Sequence, residues 1–257
     1  MEVDGLTKRF IRGGRAFAAV DDVSFHILPG ETLALAGPSG SGKSTVARLV
    51  MRLLRPDNGR ILFGGRDLLG LSGSELRNAR ARFQMVFQDS TAAFNPRSTV
   101  ARALDDPLRI HGIADLADRP RLIAQLLEQV GLSPNLAPRA IHEVSGGQRQ
   151  RVALARAIAT KPSLIVLDEA LSAVDSSIRG ELLRLLLDLQ AKRNIAYLFI
   201  SHDLAMVRAI AHRVAIMDAG RIVETGPAAN VIDAPQSTTA KTLAAAIPRL
   251  LGAEGKP

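Results

Sequence analysis

A short apolar run, Thr32-Leu-Ala-Leu-Ala36, leads without a break into Gly37-Pro-Ser-Gly-Ser-Gly-Lys-Ser44. Glycines in such a loop let backbone N–H groups converge on one anion, and a helix opening behind them adds the positive end of its dipole. The cradle forms only when a buried strand delivers the loop and a helix carries it away. The segment therefore commits the chain to an α/β core in which residues 32–36 form a central strand. Gly37, Pro38, Ser39, Gly40, Ser41 and Gly42 make the cradle, and Thr45 follows in the first helical turn. Lys43 is placed to reach the β- and γ-phosphates of a nucleotide, and the Ser44 hydroxyl to ligate Mg2+.

The rest of the chain is organised around that loop. Residues 1–36 read as alternating strands, with turns at 12–15 and 28–30. Helical spacing runs over 43–54 and stops before the turn Pro56-Asp-Asn-Gly59. A strand-like segment, 83–87, ends at Gln88. Residues 97–160 then change character. They show helical periodicity and few β-branched runs, with Pro107, Pro120, Pro134 and Pro138 read as connections. The core resumes with a strand at 164–167, a leucine-rich helix at 177–192 and a strand at 195–200. Two short strands, 213–217 and 221–224, follow around Asp218-Ala-Gly220. The expectation is one domain over 1–257. Its core is 1–96 with 161–226, its inserted helical subdomain 97–160, and its tail 227–257. The fold class is α/β, a mixed sheet with an antiparallel N-terminal part.

Composition narrows the partners. The chain of 257 residues carries a formal net charge of +8, which suggests an anionic partner such as nucleic acid or an acidic membrane surface. Its basic residues are spread out, and one Tyr with no Trp offers little for base stacking, so nucleic acid is not expected. No window approaches the ~18 uninterrupted apolar residues of a spanning helix. Met1-Glu-Val-Asp-Gly5 lacks the basic and apolar parts of a signal peptide, which points to a cytosolic chain. The absence of cysteine excludes disulfides and thiolate metal sites.

Three further features bear on a bound nucleotide. Leu164-Ile-Val-Leu-Asp-Glu169 is an apolar strand ending in two carboxylates. Asp168 stands where a strand-end aspartate holds Mg2+, and Glu169 where it polarises an attacking water. A second glycine-rich element, Ser145-Gly-Gly-Gln148, opens a helix about a hundred residues beyond the first. Ser145 and Gly147 offer a hydroxyl and an N–H to a phosphate, with the helix dipole behind them.

The order of the three elements resembles the ATP-binding subunits of ABC transporters, over residues 6–226. In that family the Ser145–Gln148 element, including Gly146, closes over the ATP of a neighbouring subunit, so one chain cannot complete its own site. The resemblance further implies that Gln88 senses Mg2+ and the water while contacting the membrane subunit. Asp89-Ser-x-x-Ala-x-Asn95-Pro96 would form the loop after it. His202, in Ile-Ser-His-Asp203, would hydrogen-bond the γ-phosphate, and Ser172-Ala-Val-Asp175 would line the subunit interface. Phe10 would stack on adenine, with Phe17 as the competing choice because residues 12–16 shift the spacing. ATP and Mg2+ are the implied ligands. The implied partners are a second, non-identical ATPase subunit, two permease subunits and an extracytoplasmic solute-binding protein. The chain would sit on the cytoplasmic face of the inner membrane.

Within the family, Val86-Phe-Gln-Asp89, Phe94-Asn-Pro-Arg97, His142-Glu-Val-Ser145 and the end Ala-Ala-Ile-Pro248 resemble the peptide/nickel group. Ala170-Leu171 after Glu169 is similar to its nickel-import subunits, with dipeptide or oligopeptide import as the alternative. The five histidines (26, 111, 142, 202, 212) show no ligand spacing, so selection of a solute would lie outside this chain. Two other readings stand beside transport. An ABC ATPase of DNA repair or translation typically carries a long coiled coil between the two glycine-rich elements, or tandem cassettes, and neither is seen. A nucleotide-gated regulatory module would not need Asp168, Glu169 and His202 together.

Overall fold

The computed structural model describes residues 1–88, 94–95, 97–172 and 175–246, without the side chains of Arg12, Ser176 and Ser177. The expected features at 89–93, 96, 173–174 and 247–248 lie outside these residues. Strands β1 (Glu2–Arg12) and β2 (Arg15–His26) form a hairpin through the turn at Gly13-Gly14. Strand β3 (Thr32–Ala36) then runs into helix α1 (Lys43–Val50). The helix stops short of residue 54 because the chain turns left-handed at Arg52, with φ of 54°. Strand β4 (Asn58–Phe63) begins inside the segment read as a turn, and β5 (Arg66–Asp67) folds back on it. Helix α2 (Gly73–Arg82) buries no residue and so leaves no apolar periodicity in the sequence.

Strand β6 (Phe83–Val86) is followed, among the described residues, by three α-helices: α3 (Val100–Ile110), α4 (Arg119–Gln129) and α5 (Gly146–Ile158). Pro107 lies inside α3 rather than in a connection, and leaves the Ala103 carbonyl without its helical N–H partner. Residues 98–101 and 137–141 are zipped together, through Val100 N–H to the Arg139 carbonyl (2.9 Å) and Ile141 N–H to the Ser98 carbonyl (2.9 Å). The chain then alternates strand and helix through β7 (Leu164–Asp168), α6 (Ser176–Arg193), β8 (Ala196–Ser201) and α7 (Leu204–Ile210), and closes with a hairpin of β9 (Arg213–Asp218) and β10 (Arg221–Pro227). Helices α8 (Ala228–Asp233) and α9 (Thr238–Ala245) follow.

Two sheets result. The first is antiparallel, in the order β2-β1-β4-β5. The second has the order β10-β9-β3-β8-β7-β6 and is parallel except for β10. A parallel sheet covered on both faces needs apolar side chains at every strand position. Alternate residues accordingly enter different cores. Ala34, Ala36, Ile165, Leu167, Tyr197 and Phe199 face α5, α6 and α7. Leu33, Leu35, Leu164, Val166, Leu198 and Ile200 face α1 and the antiparallel sheet.

One polar side chain crosses the first of these layers. Buried Gln190 of α6 donates from Nε2 to Thr32 Oγ1 (2.9 Å) and to the Ile195 carbonyl (3.1 Å), tying the helix to β3 and to the start of β8. Gln190→Ala leaves both acceptors buried and unpaired, and is expected to lower unfolding stability by about 1–3 kcal/mol in urea denaturation. A loss below about 0.5 kcal/mol would show that the two bonds do not join the layers.

Candidate nucleotide site

The glycine loop at 37–42 is shaped by crowding. Gly42 caps α1 with φ of 108°, and a side chain there would run into the Ala19 carbonyl of β2. A side chain on Gly37 would run into the Met217 carbonyl of β9. Pro38, Ser39 and Gly40 are exposed, whereas Ser41 and Lys43 are buried beneath them. The Lys43 ammonium donates to the carbonyls of Gly37 (2.9 Å) and Pro38 (2.7 Å) and to Ser41 Oγ (3.2 Å). Burial lowers its pKa, opposed by the charges of Glu169 and Asp168. Thr45 follows in the first turn of α1, half-buried.

Sheet register brings the carboxylates to this loop. Leu35 of β3 and Asp168 of β7 both pair with Ile200 of β8, so three adjacent strands end level. Ser44 Oγ donates to Asp168 Oδ1 at 2.9 Å, and Asp168 is only 6% exposed. Burial raises the Asp168 pKa, the Ser44 bond lowers it, and the Glu169 charge raises it again. Arg48, one turn beyond Ser44, also lowers it. That arginine was missed in the sequence, although the i,i+4 spacing from Ser44 was a usable signal.

Glu169 follows at φ of 47°, a conformation uncommon outside glycine. Its N–H donates to the Ile200 carbonyl (3.0 Å), which fixes the turn. Its carboxylate accepts from Gln88 Nε2 at 3.0 Å and lies 3.3 Å from His202 Nδ1. Gln88, Asp168, Glu169 and His202, drawn from the ends of three strands, thus meet beside Lys43 and Ser44.

The second glycine-rich element stands apart. Ser145 caps α5: its Oγ accepts from the Gln148 N–H (3.2 Å), and Gln148 Oε1 accepts from the Ser145 N–H (3.0 Å). Gly147 is pressed against Ile178 of α6, where an added Cβ would lie 3.0 Å from Ile178 Cδ1. Gly146 has open space. Among the described hydrogen bonds, none joins residues 145–148 to the loop at 37–44. Asp175 is exposed at the start of α6. Phe10 and Phe17 are direct cross-strand partners with ring centroids 6.0 Å apart, so the two aromatic candidates share one place. Phe17 is the more exposed, at 47%. Ala170 and Leu171 are buried in the α5–α6 core beside Leu154, Leu182 and Leu186.

A glycine loop between strand and helix, with a buried lysine, a hydroxyl and a strand-end carboxylate, defines a P-loop nucleoside triphosphatase. Residues 20–172 match the ABC transporter family, and the chain belongs to it. It is 48% identical over 255 residues to the glutathione import ATP-binding protein GsiA of Salmonella paratyphi A. The same figure holds for GsiA of Escherichia coli K12. In both, the match covers 96% of this chain and 41% of the relative, so the chain spans about two fifths of the length of these proteins. Among solved structures, the ATP-binding cassette MJ0796 bound to ADP and Pi in a dimeric post-hydrolysis state has a TM-score of 0.81 at 27% identity. That match covers 88% of this chain and 98% of MJ0796. The protein cbiO1 of Clostridium perfringens, described as part of the complex cbiONQ, has a TM-score of 0.79 at 25% identity. It covers 91% of this chain and 90% of its own. The chain is an ATP-binding cassette.

The raised pKa of Asp168 has a measurable consequence. An acid whose pKa is higher folded than unfolded destabilises the fold once pH exceeds both values, and has no effect below both. Asp168→Asn is therefore expected to raise the melting temperature of the nucleotide-free chain at neutral pH, with the gain vanishing below about pH 4. An equal gain at all pH values would show that burial of the charge is not the cause.

Proposed function

We propose that this chain is the ATP-hydrolysing subunit of an importer for small peptides. The observation that carries the ATPase is the meeting of Ser44 and Asp168 at 2.9 Å with Glu169, Gln88 and His202 alongside. The peptide cargo rests on the 48% identity to proteins named for glutathione import. The nickel reading rested on the resemblance of Ala170-Leu171 to nickel-import subunits, whereas the 48% identical relatives are named for glutathione import; both residues are buried in the core. Their apolar character answers to packing.

The donor set suits MgATP. Lys43 exchanges the Gly37 and Pro38 carbonyls for β- and γ-phosphate oxygens, and the loop N–H groups of 37–42 close on the phosphates. Ser44, Asp168 and Gln88 offer the oxygen ligands that Mg2+ prefers. Bound there, the ion would neutralise charge on the β- and γ-oxygens. Glu169 orients and polarises the attacking water, and His202 donates to the γ-phosphate. Phe10, with Phe17 beside it, stacks on adenine. Ser145, Gly146, Gly147 and Gln148 present their hydroxyl and first-turn N–H groups to ATP held by a second ATPase subunit, with Asp175 at that interface. Ser145 Oγ accepts from its own helix, which leaves its O–H to donate to another chain's phosphate.

We divide the chain as the core 1–96 and 161–226, the helical subdomain 97–160 and the tail 227–257. Among the described residues, no helix is long and apolar enough to cross a membrane. Peripheral attachment at the cytoplasmic face through two permease subunits, served by a solute-binding protein, fits the import reading, as does a non-identical second ATPase. No nucleic acid is involved.

Glu169→Gln is expected to keep ATP affinity while turnover falls by roughly a hundredfold or more, read by nucleotide titration and phosphate release. Near-wild-type turnover would remove Glu169 from the role of base. For the cargo, a deletion strain is expected to lose uptake of labelled glutathione or dipeptide and to keep uptake of labelled nickel. Loss of nickel uptake alone would transfer the assignment to the metal.

A further inference from the structure

Arg179 lies in the first turns of α6, near the positive end of the helix dipole, where a cation is disfavoured. Its side chain is half-buried rather than extended into water. Nη2 donates to the Ser172 carbonyl at 3.3 Å, and Nη1 lies 4.0 Å from Asp203 Oδ2. Both partners lead to the reacting groups. Ser172 holds the Glu169 carbonyl twice, through its N–H at 3.0 Å and its Oγ at 2.8 Å. Asp203 directly follows His202, and its Oδ1 fixes the start of α7 by accepting from Ala205 N–H (2.9 Å) and Met206 N–H (3.2 Å). His202 Nδ1 returns to Glu169 Oε1 at 3.3 Å. The path Glu169–Ser172–Arg179–Asp203–His202–Glu169 is a closed ring.

We propose that Arg179 is a positioning residue that closes this ring and holds Glu169 and His202 at their mutual distance, an inference that rests on reading Glu169 as the base. A left-handed residue such as Glu169 keeps its conformation only where its surroundings over-determine it. The ring does so from both sides. A guanidinium can serve a carbonyl and a carboxylate at once through separate nitrogens, which an ammonium does less well. Without Arg179, the segments after Glu169 and after His202 move independently, and the base and the histidine lose alignment while the phosphate loop is untouched.

The test compares Arg179→Met, Arg179→Lys and Glu169→Gln in the full chain assembled with the second ATPase subunit, by steady-state ATP hydrolysis, ATP affinity and melting temperature. Arg179→Met is expected to lower kcat roughly ten- to a hundredfold, because small misplacements of reacting groups have effects of that order. KM for ATP and the melting temperature stay near wild type, and Arg179→Lys recovers part of kcat. Arg179→Met at wild-type kcat, beside an inactive Glu169→Gln, overturns the proposal. A fall in kcat matched by a rise in KM also overturns it, since the phosphate loop would then be affected. If Arg179→Met fails to fold, Arg179→Lys decides: intermediate kcat at unchanged KM supports the ring, and full activity refutes it. Turnover by Glu169→Gln would instead remove the reading on which the ring rests.

Discussion

The hydrogen bond from Ser44 to Asp168 depends on nearly everything else in the molecule, because its partners lie 124 residues apart, one in the first turn of α1 and the other at the end of β7. It exists because β3, β8 and β7 run parallel and end level, which places the start of α1 opposite the end of β7. That register is enforced by burial on both faces. A slip of one residue would exchange the two apolar sets and drive each side chain into the wrong core. The site is thus a consequence of sheet packing before it is a matter of chemistry.

The charged groups Lys43, Asp168 and Glu169 each have a protein partner. Lys43 is capped by carbonyls, Asp168 by a hydroxyl, and Glu169 by Gln88. The arrangement is nonetheless costly, since burial disfavours the charge on Lys43 and on Asp168 alike, shifting one pKa down and the other up. A triphosphate with its metal ion, as proposed above, would supply opposite charges to both.

The nucleotide-facing parts of this fold were legible in the sequence for a physical reason. Residues 32–44 and 164–169 are dictated by local geometry, an apolar strand running into a glycine cradle or into carboxylates, and such patterns survive without tertiary context. The parts that failed were set by long-range packing. The first two residues of β4 fall in the segment Pro56-Asp-Asn-Gly59, which carries turn chemistry, yet pairing with β1 draws them into the strand. Helix α2 buries nothing and left no signal. Pro107 was placed in a connection because proline is disfavoured within helices, although α3 accommodates it. Gly147 was read as a phosphate donor, and its contact with Ile178 adds a packing requirement that only the fold reveals. Phe10 and Phe17 competed in the sequence and are neighbours in space. Arg179 had no sequence signal, because Ser172 and Asp203, its partners among the described residues, lie in separate loops of the fold.

Electron spin resonance of Mn2+ substituted for Mg2+ tests the central claim most directly. With ATP present, the wild-type chain should hold one slowly tumbling Mn2+ ion per nucleotide, and the double variant Ser44→Ala/Asp168→Ala should leave the ion as free MnATP under the same conditions. An undiminished bound signal in the double variant would contradict the account, because the metal would then be held somewhere other than the junction of β7 and α1.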